Sequence, residues 1–146
     1  MIDILLVEDN PDHAVLIKKV LEDYNVSEKV HIVEDGEEAL DFIYHRGKYN
    51  NGHNTPRPGL VLLDLKLPKM DGFKVLRQLK SDPDYKSIPV VILTTSSRDE
   101  EIAKGYAEGA NSYVTKPVNF DEFTDKVRSI GSYWSLVNPI AEQSNI

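Results

Sequence analysis

The sequence predicts an α/β fold, a doubly wound sheet of five parallel strands with helices on both faces. Two observations carry this prediction. Short apolar runs of strand length alternate with longer segments whose apolar residues recur at helical spacing, and this pair of patterns occurs five times. A helical segment separates each strand from the next, as right-handed crossovers between parallel strands require. The 146 residues suffice for one domain with a single core.

The strands are predicted from apolar runs that end in polar or turn-forming residues. In chain order, the predicted strands are Ile4–Val7, Val30–Val33, Leu60–Leu63, Pro89–Leu93 and the shorter, more polar Ser112–Thr115. The third run is the most informative, because four consecutive apolar residues suit a strand that is buried on both faces. It ends at Asp64, and Pro68 soon prevents further strand. Asp64 is therefore predicted at the carboxyl end of a central strand.

Each helix is predicted from a capping residue followed by apolar residues at helical spacing. The capping residues are Asn10, Asp35, Asp71, Ser97 and Asn119, and the helices are expected to extend to about Tyr24, Ile43, Ser81, Gly109 and Trp134. Asn, Asp and Ser side chains in such positions accept the unpaired N–H groups of a first helical turn. The five helices complete the alternation with the strands.

Residues 45–58 interrupt this alternation. These fourteen residues contain three Asn, two Gly and two Pro, and they are long for a structureless loop, so we interpret them as an inserted surface loop. Residues 1–137 are predicted to form the domain, and residues 138–146 a polar C-terminal tail.

The composition restricts the classes of partner. A net charge of −7 without a basic run opposes binding to nucleic acid. No apolar run approaches membrane-spanning length and the N-terminus lacks signal-peptide features, so we expect a cytoplasmic protein with no membrane partner. The absence of cysteine excludes thiol chemistry and Cys-ligated zinc. The four histidines have no metal-ligand spacing and are expected at the surface, and His13 is the one that the topology could place next to the edge where the strands end.

Polar side chains follow four of the five predicted strands. Glu8 and Asp9 come after the first strand, Asp64 after the third, and Thr94 and Lys116 at the ends of the fourth and fifth. The carboxyl ends of parallel strands share one edge, where open α/β sheets bind ligands. Three carboxylates that meet there repel one another unless they are protonated or bind a cation, and their oxygens suit Mg²⁺. An acidic pair that only caps the first helix is the alternative explanation for Glu8 and Asp9.

Taken together, these residues resemble the receiver domain of two-component response regulators. The residues that carry the resemblance are Glu8, Asp9, Asp64, Pro68, Asp71, Gly72, Thr94, Tyr113, Lys116 and Pro117. It spans residues 2 to about 135 and implies the flavodoxin-like (βα)5 fold with strand order 2-1-3-4-5. The insertion and the Tyr133–Trp134 pair also resemble single-domain regulators that partner phytochrome histidine kinases of the cyanobacterial type. Since the last helix ends about ten residues before the chain does, we expect the output to be either binding to another protein or the transfer of phosphoryl groups between kinases.

The resemblance implies that Asp64 accepts a phosphoryl group from a sensor histidine kinase. It also implies that Asp9, Asp64 and the backbone carbonyl of Lys66 ligate Mg²⁺, with Glu8 acting directly or through a water molecule. Lys116 would pair with Asp64 and later with a phosphoryl oxygen. Such a protein catalyses only its own phosphorylation and dephosphorylation and is not otherwise an enzyme.

Thr94 and Tyr113 are the implied switch. The hydroxyl of Thr94 would turn to the phosphoryl group and Tyr113 would turn inward, which changes the surface of the fourth helix, fifth strand and fifth helix. The resemblance further implies a cis peptide bond before Pro117, which would aim Lys116. Dimerisation through the same surface and the Tyr133–Trp134 region is a further expectation.

Two other protein classes remain open. A phosphohydrolase of the haloacid dehalogenase type also uses an aspartate nucleophile, but it needs a second acid two residues later, where this chain has Lys66. A flavodoxin-like mononucleotide carrier needs a phosphate loop rich in Ser, Thr and Gly after the first strand. This chain has the sequence Glu8-Asp9-Asn10-Pro11 there, which has the wrong charge.

Overall fold

A computed structural model describes residues 2–23, 27–50, 55–95, 98–117, 119, 121–130 and 132. The strands are β1 (Ile2–Val7), β2 (Ser27–Val33), β3 (Leu60–Leu63), β4 (Val90–Thr94) and β5 (Ser112–Thr115). They form one parallel sheet in the order β2-β1-β3-β4-β5. The expected fold class and strand order are therefore confirmed. All four residues of β3, the central strand, are buried.

The helices are α1 (Pro11–Asp23), α2 (Gly36–Tyr44), α3 (Gly72–Ser81), α4 (Asp99–Ala107) and α5, which covers residues 121–130. Four of the predicted caps accept backbone N–H groups of the helix that follows; they are Asn10, Asp35, Asp71 and Asn119. The predicted cap Ser97 and the expected helix ends Tyr24 and Trp134 lie outside the described residues. None of the described helices has the length and apolar character that crossing a membrane requires.

The helices cover both faces of the sheet. Along β1, Leu5 and Val7 pack with α2 and α3, whereas Ile4 and Leu6 pack with α1 and α5. This alternation is the period of a strand, and it places an apolar layer on each face. α4 buries a single residue, Gly105, whereas α2 and α3 each bury five. α4 is therefore held to the sheet by few apolar contacts.

The inserted loop is attached to α2 at both ends. Gly47–Tyr49 forms a short 3₁₀ helix, and the Tyr49 ring packs edge-on against Phe42 with ring centroids 5.2 Å apart. Further along, the Thr55 hydroxyl donates a hydrogen bond to the Phe42 carbonyl at 2.8 Å. Residues 51–54 between these contacts lie outside the described residues, as do Tyr133–Trp134 and the tail 138–146.

Candidate functional site

Three acidic side chains meet at the carboxyl edge of the sheet. Glu8 and Asp9 follow β1, and Asp64 follows β3, the neighbouring strand. One carboxylate oxygen from each residue lies within 4.8 Å of the other two. Glu8 and Asp64 are only 2% and 8% exposed, whereas Asp9 is exposed. The structure thus brings the three acids into one cluster, with one side of it open to solvent.

The pairing of β1 with its neighbours explains this geometry. Val7 lies opposite Leu63 in the parallel register, so the chain leaves β1 and β3 at the same level. The backbone N–H of Asp64 donates to the Val7 carbonyl at 3.1 Å, and that of Glu8 donates to the Val33 carbonyl at 3.0 Å. The backbones of both acids are therefore fixed by the sheet rather than by a loop.

Lys116 reaches the acids from the end of β5. Its backbone N–H donates to the Thr94 carbonyl at 2.6 Å, which extends the pairing of β4 with β5. Its ammonium donates to a carboxylate oxygen of Glu8, to Asp64 Oδ2 at 3.1 Å and to His13 Nδ1 at 3.2 Å. Because Lys116 is 6% exposed, this is a buried ion-pair network, in which loss of one partner leaves a charge without compensation.

The expectation of a cis peptide bond before Pro117 is wrong, because no peptide bond among the described residues is cis. The trans form is intrinsically favoured, even before proline. Lys116 contacts Glu8 and Asp64 from the trans arrangement. Aiming this side chain at the acids therefore does not require the cis form.

Burial and charge act in opposite directions on Glu8. Loss of solvent raises the pKa of Glu8 above 4.5, the hydrogen bond and charge of Lys116 lower it, and the net direction is upward. For His13, burial and then the charge of Lys116 hold the pKa below its ordinary value of 6.5. The His13 ring is therefore neutral near neutral pH, and its Nδ1 can accept a hydrogen bond.

The residues of the acidic cluster fit a hard divalent cation. Carboxylate oxygens are the ligands that such cations prefer, and the open side at Asp9 leaves room for the water molecules that Mg²⁺ retains. The backbone N–H of Lys66 donates to Asp64 Oδ1 at 3.2 Å, while the Lys66 side chain is exposed. Ligation by the carbonyl of Lys66 stays a prediction.

Two uncharged residues lie on the last two strands: Thr94 is the last residue of β4, and Tyr113 is the second residue of β5. Thr94 is fully buried, and within the described part of the chain its hydroxyl has no hydrogen-bond partner. A buried hydroxyl of this kind is unfavourable unless a ligand or a water molecule forms a hydrogen bond with it. Tyr113 is half-buried, its ring lies against Gly105 of α4, and its backbone N–H donates to the Tyr106 hydroxyl at 3.2 Å.

His13 joins this site, although the sequence favours a surface position for it and only its place in the topology puts it near the acidic edge. The sequence predicts that all four histidines lie at the surface, yet His13 contacts the buried ammonium of Lys116. Its ring also packs against Phe123 of α5, with ring centroids 5.3 Å apart. One signal was available: His13 comes four residues after Asp9, in the first turn of the helix that follows the acidic pair.

The sequence matches the family described as the response regulator receiver domain over residues 4–128. The chain belongs to this family and is a receiver of the two-component phosphorelay type, not a hydrolase of the haloacid dehalogenase type.

Its relatives resemble it over most of their length. Response regulator Rcp1 of Synechocystis sp. is 41% identical over 90% of this chain and 87% of Rcp1. The probable methanogenesis regulatory protein FilR2 of Methanothrix harundinacea is 42% identical over 90% of this chain and 82% of FilR2. The Mn²⁺-bound form of Rcp1 aligns with a TM-score of 0.86 at 40% identity, over 92% of this chain and 94% of that one. The phosphorylated cyanobacterial phytochrome response regulator RcpA gives 0.84 at 41% identity, over 91% and 93%.

Proposed function

We propose that this receiver is a phosphoacceptor switch in which Asp64 takes a phosphoryl group from a sensor histidine kinase. The observation that carries the proposal is the buried contact of Lys116 with Asp64 and Glu8, beside the exposed carboxylate of Asp9. This arrangement combines a carboxylate nucleophile, a cation that can pair with a phosphoryl oxygen, and oxygen ligands for a divalent metal ion.

The residues can carry out a direct transfer. A carboxylate oxygen of Asp64 attacks the phosphorus of a phosphohistidine, the new O–P bond forms, and the P–N bond breaks with its electron pair leaving on the imidazole. Lys116 lies where its ammonium can pair with a phosphoryl oxygen, a role for which a point charge is sufficient. Glu8, Asp9 and Asp64 would hold a divalent cation, proposed to be Mg²⁺, which supplies neutralisation of charge on the phosphoryl oxygens.

The decisive experiment is phosphorylation by a small donor. Incubation with acetyl phosphate and Mg²⁺ is expected to add the mass of one phosphoryl group to the wild-type chain and none to Asp64→Asn, as measured by intact-protein mass spectrometry. Asp71→Asn is a matched control, because Asp71 is an exposed cap of α3 and asparagine caps equally well. Equal labelling of Asp64→Asn and the wild type would remove Asp64 from the mechanism.

Binding of Mg²⁺ is expected to stabilise the fold, because a cation relieves the repulsion among Glu8, Asp9 and Asp64. At about 100 times the dissociation constant, a ligand that binds only the folded state adds about 2.7 kcal/mol to the free energy of unfolding. Asp9→Asn should lose most of this gain, and its metal-free stability should rise slightly, because the substitution removes one of the three repelling charges at an exposed position. Thermal unfolding of both proteins with Mg²⁺ and with a chelator measures the difference. A gain that is equal in both would show that Asp9 is not a ligand.

Two further roles belong to the same proposal. The Thr94 hydroxyl, which has no hydrogen-bond partner among the described residues, could donate to a new phosphoryl oxygen. Tyr113 joins β5 to α4 through its contacts with Gly105 and Tyr106. A change at Thr94 and Tyr113 would thereby alter the surface of α4, β5 and α5. The small buried area of α4 supports this, because a loosely packed helix moves at low cost.

The relatives suggest the partner. Since RcpA is a phytochrome response regulator, we assign a phytochrome-type histidine kinase as the phosphoryl donor, and a cytoplasmic location follows from that role.

The chain is expected to catalyse its own phosphorylation and dephosphorylation and to act through residues 1–137. It is also expected to dimerise through α4, β5, α5 and the Tyr133–Trp134 region.

A further inference from the structure

The ammonium of Lys116 has three acceptors in this structure, and they differ in charge. An ammonium has three N–H donors, and here they lie within reach of Glu8, Asp64 Oδ2 at 3.1 Å and His13 Nδ1 at 3.2 Å. Two of these acceptors are carboxylates that belong to the acidic cluster, and the third is a ring nitrogen of His13, which is not an acid. The hydrogen-bonding capacity of a buried cation is thus filled by two potential metal ligands and one group that is not an acid.

A metal ion in the acidic cluster would compete with Lys116 for acceptors. Oxygens of Glu8 and Asp64 that turn to a divalent cation are less available to the ammonium. The cation would also place like charge beside Lys116, which is 6% exposed and has little access to water. A buried charged donor left without an acceptor costs several times an ordinary hydrogen bond. The competition therefore penalises metal binding unless another acceptor stays in place.

We propose that His13 is a positioning residue that retains the Lys116 ammonium by accepting its hydrogen bond at Nδ1 when the metal draws Glu8 and Asp64 away. This inference rests on the metal site of the proposed function. In this role His13 contacts neither the metal nor the phosphoryl group. It lowers the cost of metal binding through Lys116.

The surroundings of His13 suit this role. The residue lies in the first turn of α1, so its backbone is fixed close to the acidic pair. Its ring contacts Phe123 of α5 at 5.3 Å between centroids and an interplanar angle of 44°, which restricts its orientation. An Nδ1 that accepts a hydrogen bond requires the tautomer protonated at Nε2. With its side chain 38% exposed, the ring can keep water at its outer edge.

Packing against Phe123 is the competing explanation, and two substitutions separate it from the proposed role. His13→Asn keeps an acceptor oxygen near the position of Nδ1 but removes the ring. His13→Phe keeps a ring against Phe123 but removes the acceptor. If His13 acts as an acceptor, His13→Asn should behave like the wild type and His13→Phe should not. If His13 only packs against Phe123, the opposite result is expected.

The test is a Mg²⁺ titration of the wild-type chain and both variants, followed by NMR shifts of backbone amides near the acidic cluster. We expect His13→Asn to bind Mg²⁺ within about threefold of the wild type and His13→Phe to bind about tenfold more weakly, as loss of one hydrogen bond to a charged group implies. The second readout is the ¹⁵N signal of the Lys116 ammonium. With Mg²⁺ bound, slow hydrogen exchange should persist in the wild type and in His13→Asn and be lost in His13→Phe.

The outcomes distinguish this inference from the proposal beneath it. A wild-type chain that does not bind Mg²⁺ would overturn the metal site, and this role with it. A wild-type chain that binds Mg²⁺ while His13→Phe binds equally well would overturn the inference alone. Weak binding by His13→Asn with normal binding by His13→Phe would assign His13 to packing. Thermal unfolding in chelator confirms that each variant folds, and His13→Leu replaces His13→Phe if that variant does not.

Discussion

Replacing Lys116 with methionine is expected to lower the free energy of unfolding of the metal-free protein by about 3 kcal/mol near pH 8. Methionine keeps most of the buried stem, so the main loss is the ammonium that Glu8 and Asp64 contact. Glu8 would then remain 2% exposed without its cation. Urea denaturation in the presence of a chelator measures the change. Lys66→Met is the matched control, because Lys66 is an exposed lysine close to the same edge, and it should change the stability little.

The free energy of unfolding that Lys116→Met loses should depend on pH, and the pKa of Glu8 determines the direction of this dependence. Burial raises the pKa of Glu8 above 4.5, and Lys116 opposes the rise, so the substitution raises this pKa further. Between 4.5 and the higher folded-state pKa, the folded protein binds more protons than the unfolded chain. Its stability therefore falls as the pH rises through this window. We expect the difference from the wild type to shrink from about pH 8 to about pH 5. A difference that is equal at both pH values would attribute the effect to packing of the lysine stem.

The fold could be predicted because a strand that is buried on both faces is apolar at consecutive positions of the sequence. Leu60–Leu63 is apolar at four consecutive positions, and the structure places it in the centre of the sheet. Once the strands are parallel, their carboxyl ends share one edge. The strand order that the resemblance implies, and that the structure has, then places β1 beside β3 and brings Glu8 close to Asp64. The elements of the acidic site were predictable for the same reason, because each acid directly follows a strand.

Contacts between distant polar atoms could not be predicted in this way. His13 and Lys116 are 103 residues apart, and periodicity reports which face of an element is buried, not which atoms meet across elements. The peptide bond before Pro117 is a second case. Its two isomers differ intrinsically by about 0.5–1 kcal/mol, which is too little for the local sequence to decide.

The helix α4 shows a third limit. Apolar residues at helical spacing, among them Ile102 and Tyr106, predict a helix, and α4 is present. Yet Tyr106 is 50% exposed, and Gly105 is the buried residue of this helix. Apolar spacing identifies a helix and does not fix how closely it packs, because that depends on the neighbouring strand. Here the half-buried ring of Tyr113 lies against Gly105.

Gly72→Ala is expected to destabilise the fold by about 3 kcal/mol, the upper part of the usual range for overpacking. Gly72 begins α3 directly behind the segment that follows Asp64, and its N–H donates to the Leu65 carbonyl at 3.0 Å. A Cβ atom at Gly72 would overlap the carbonyl oxygen of Asp64 and lie 2.7 Å from Leu65 Cα. These are backbone atoms that no side-chain rotation can move, so either α3 or the segment that carries Asp64 must shift.

The same substitution should also reduce phosphorylation at temperatures where the variant is folded, because the displaced segment is the one that presents Asp64 to Lys116. Gly105→Ala is the matched control. The described atoms nearest to a Cβ there belong to side chains that can yield, Ile92 Cδ1 at 2.9 Å and Tyr113 Cδ2 at 3.1 Å. Alanine is also favoured over glycine inside a helix by about 1 kcal/mol. Urea denaturation and acetyl phosphate labelling of both variants should therefore show a loss for Gly72→Ala alone. Similar behaviour of the two variants would mean that the close approach of α3 to the Asp64 backbone does not position the nucleophile.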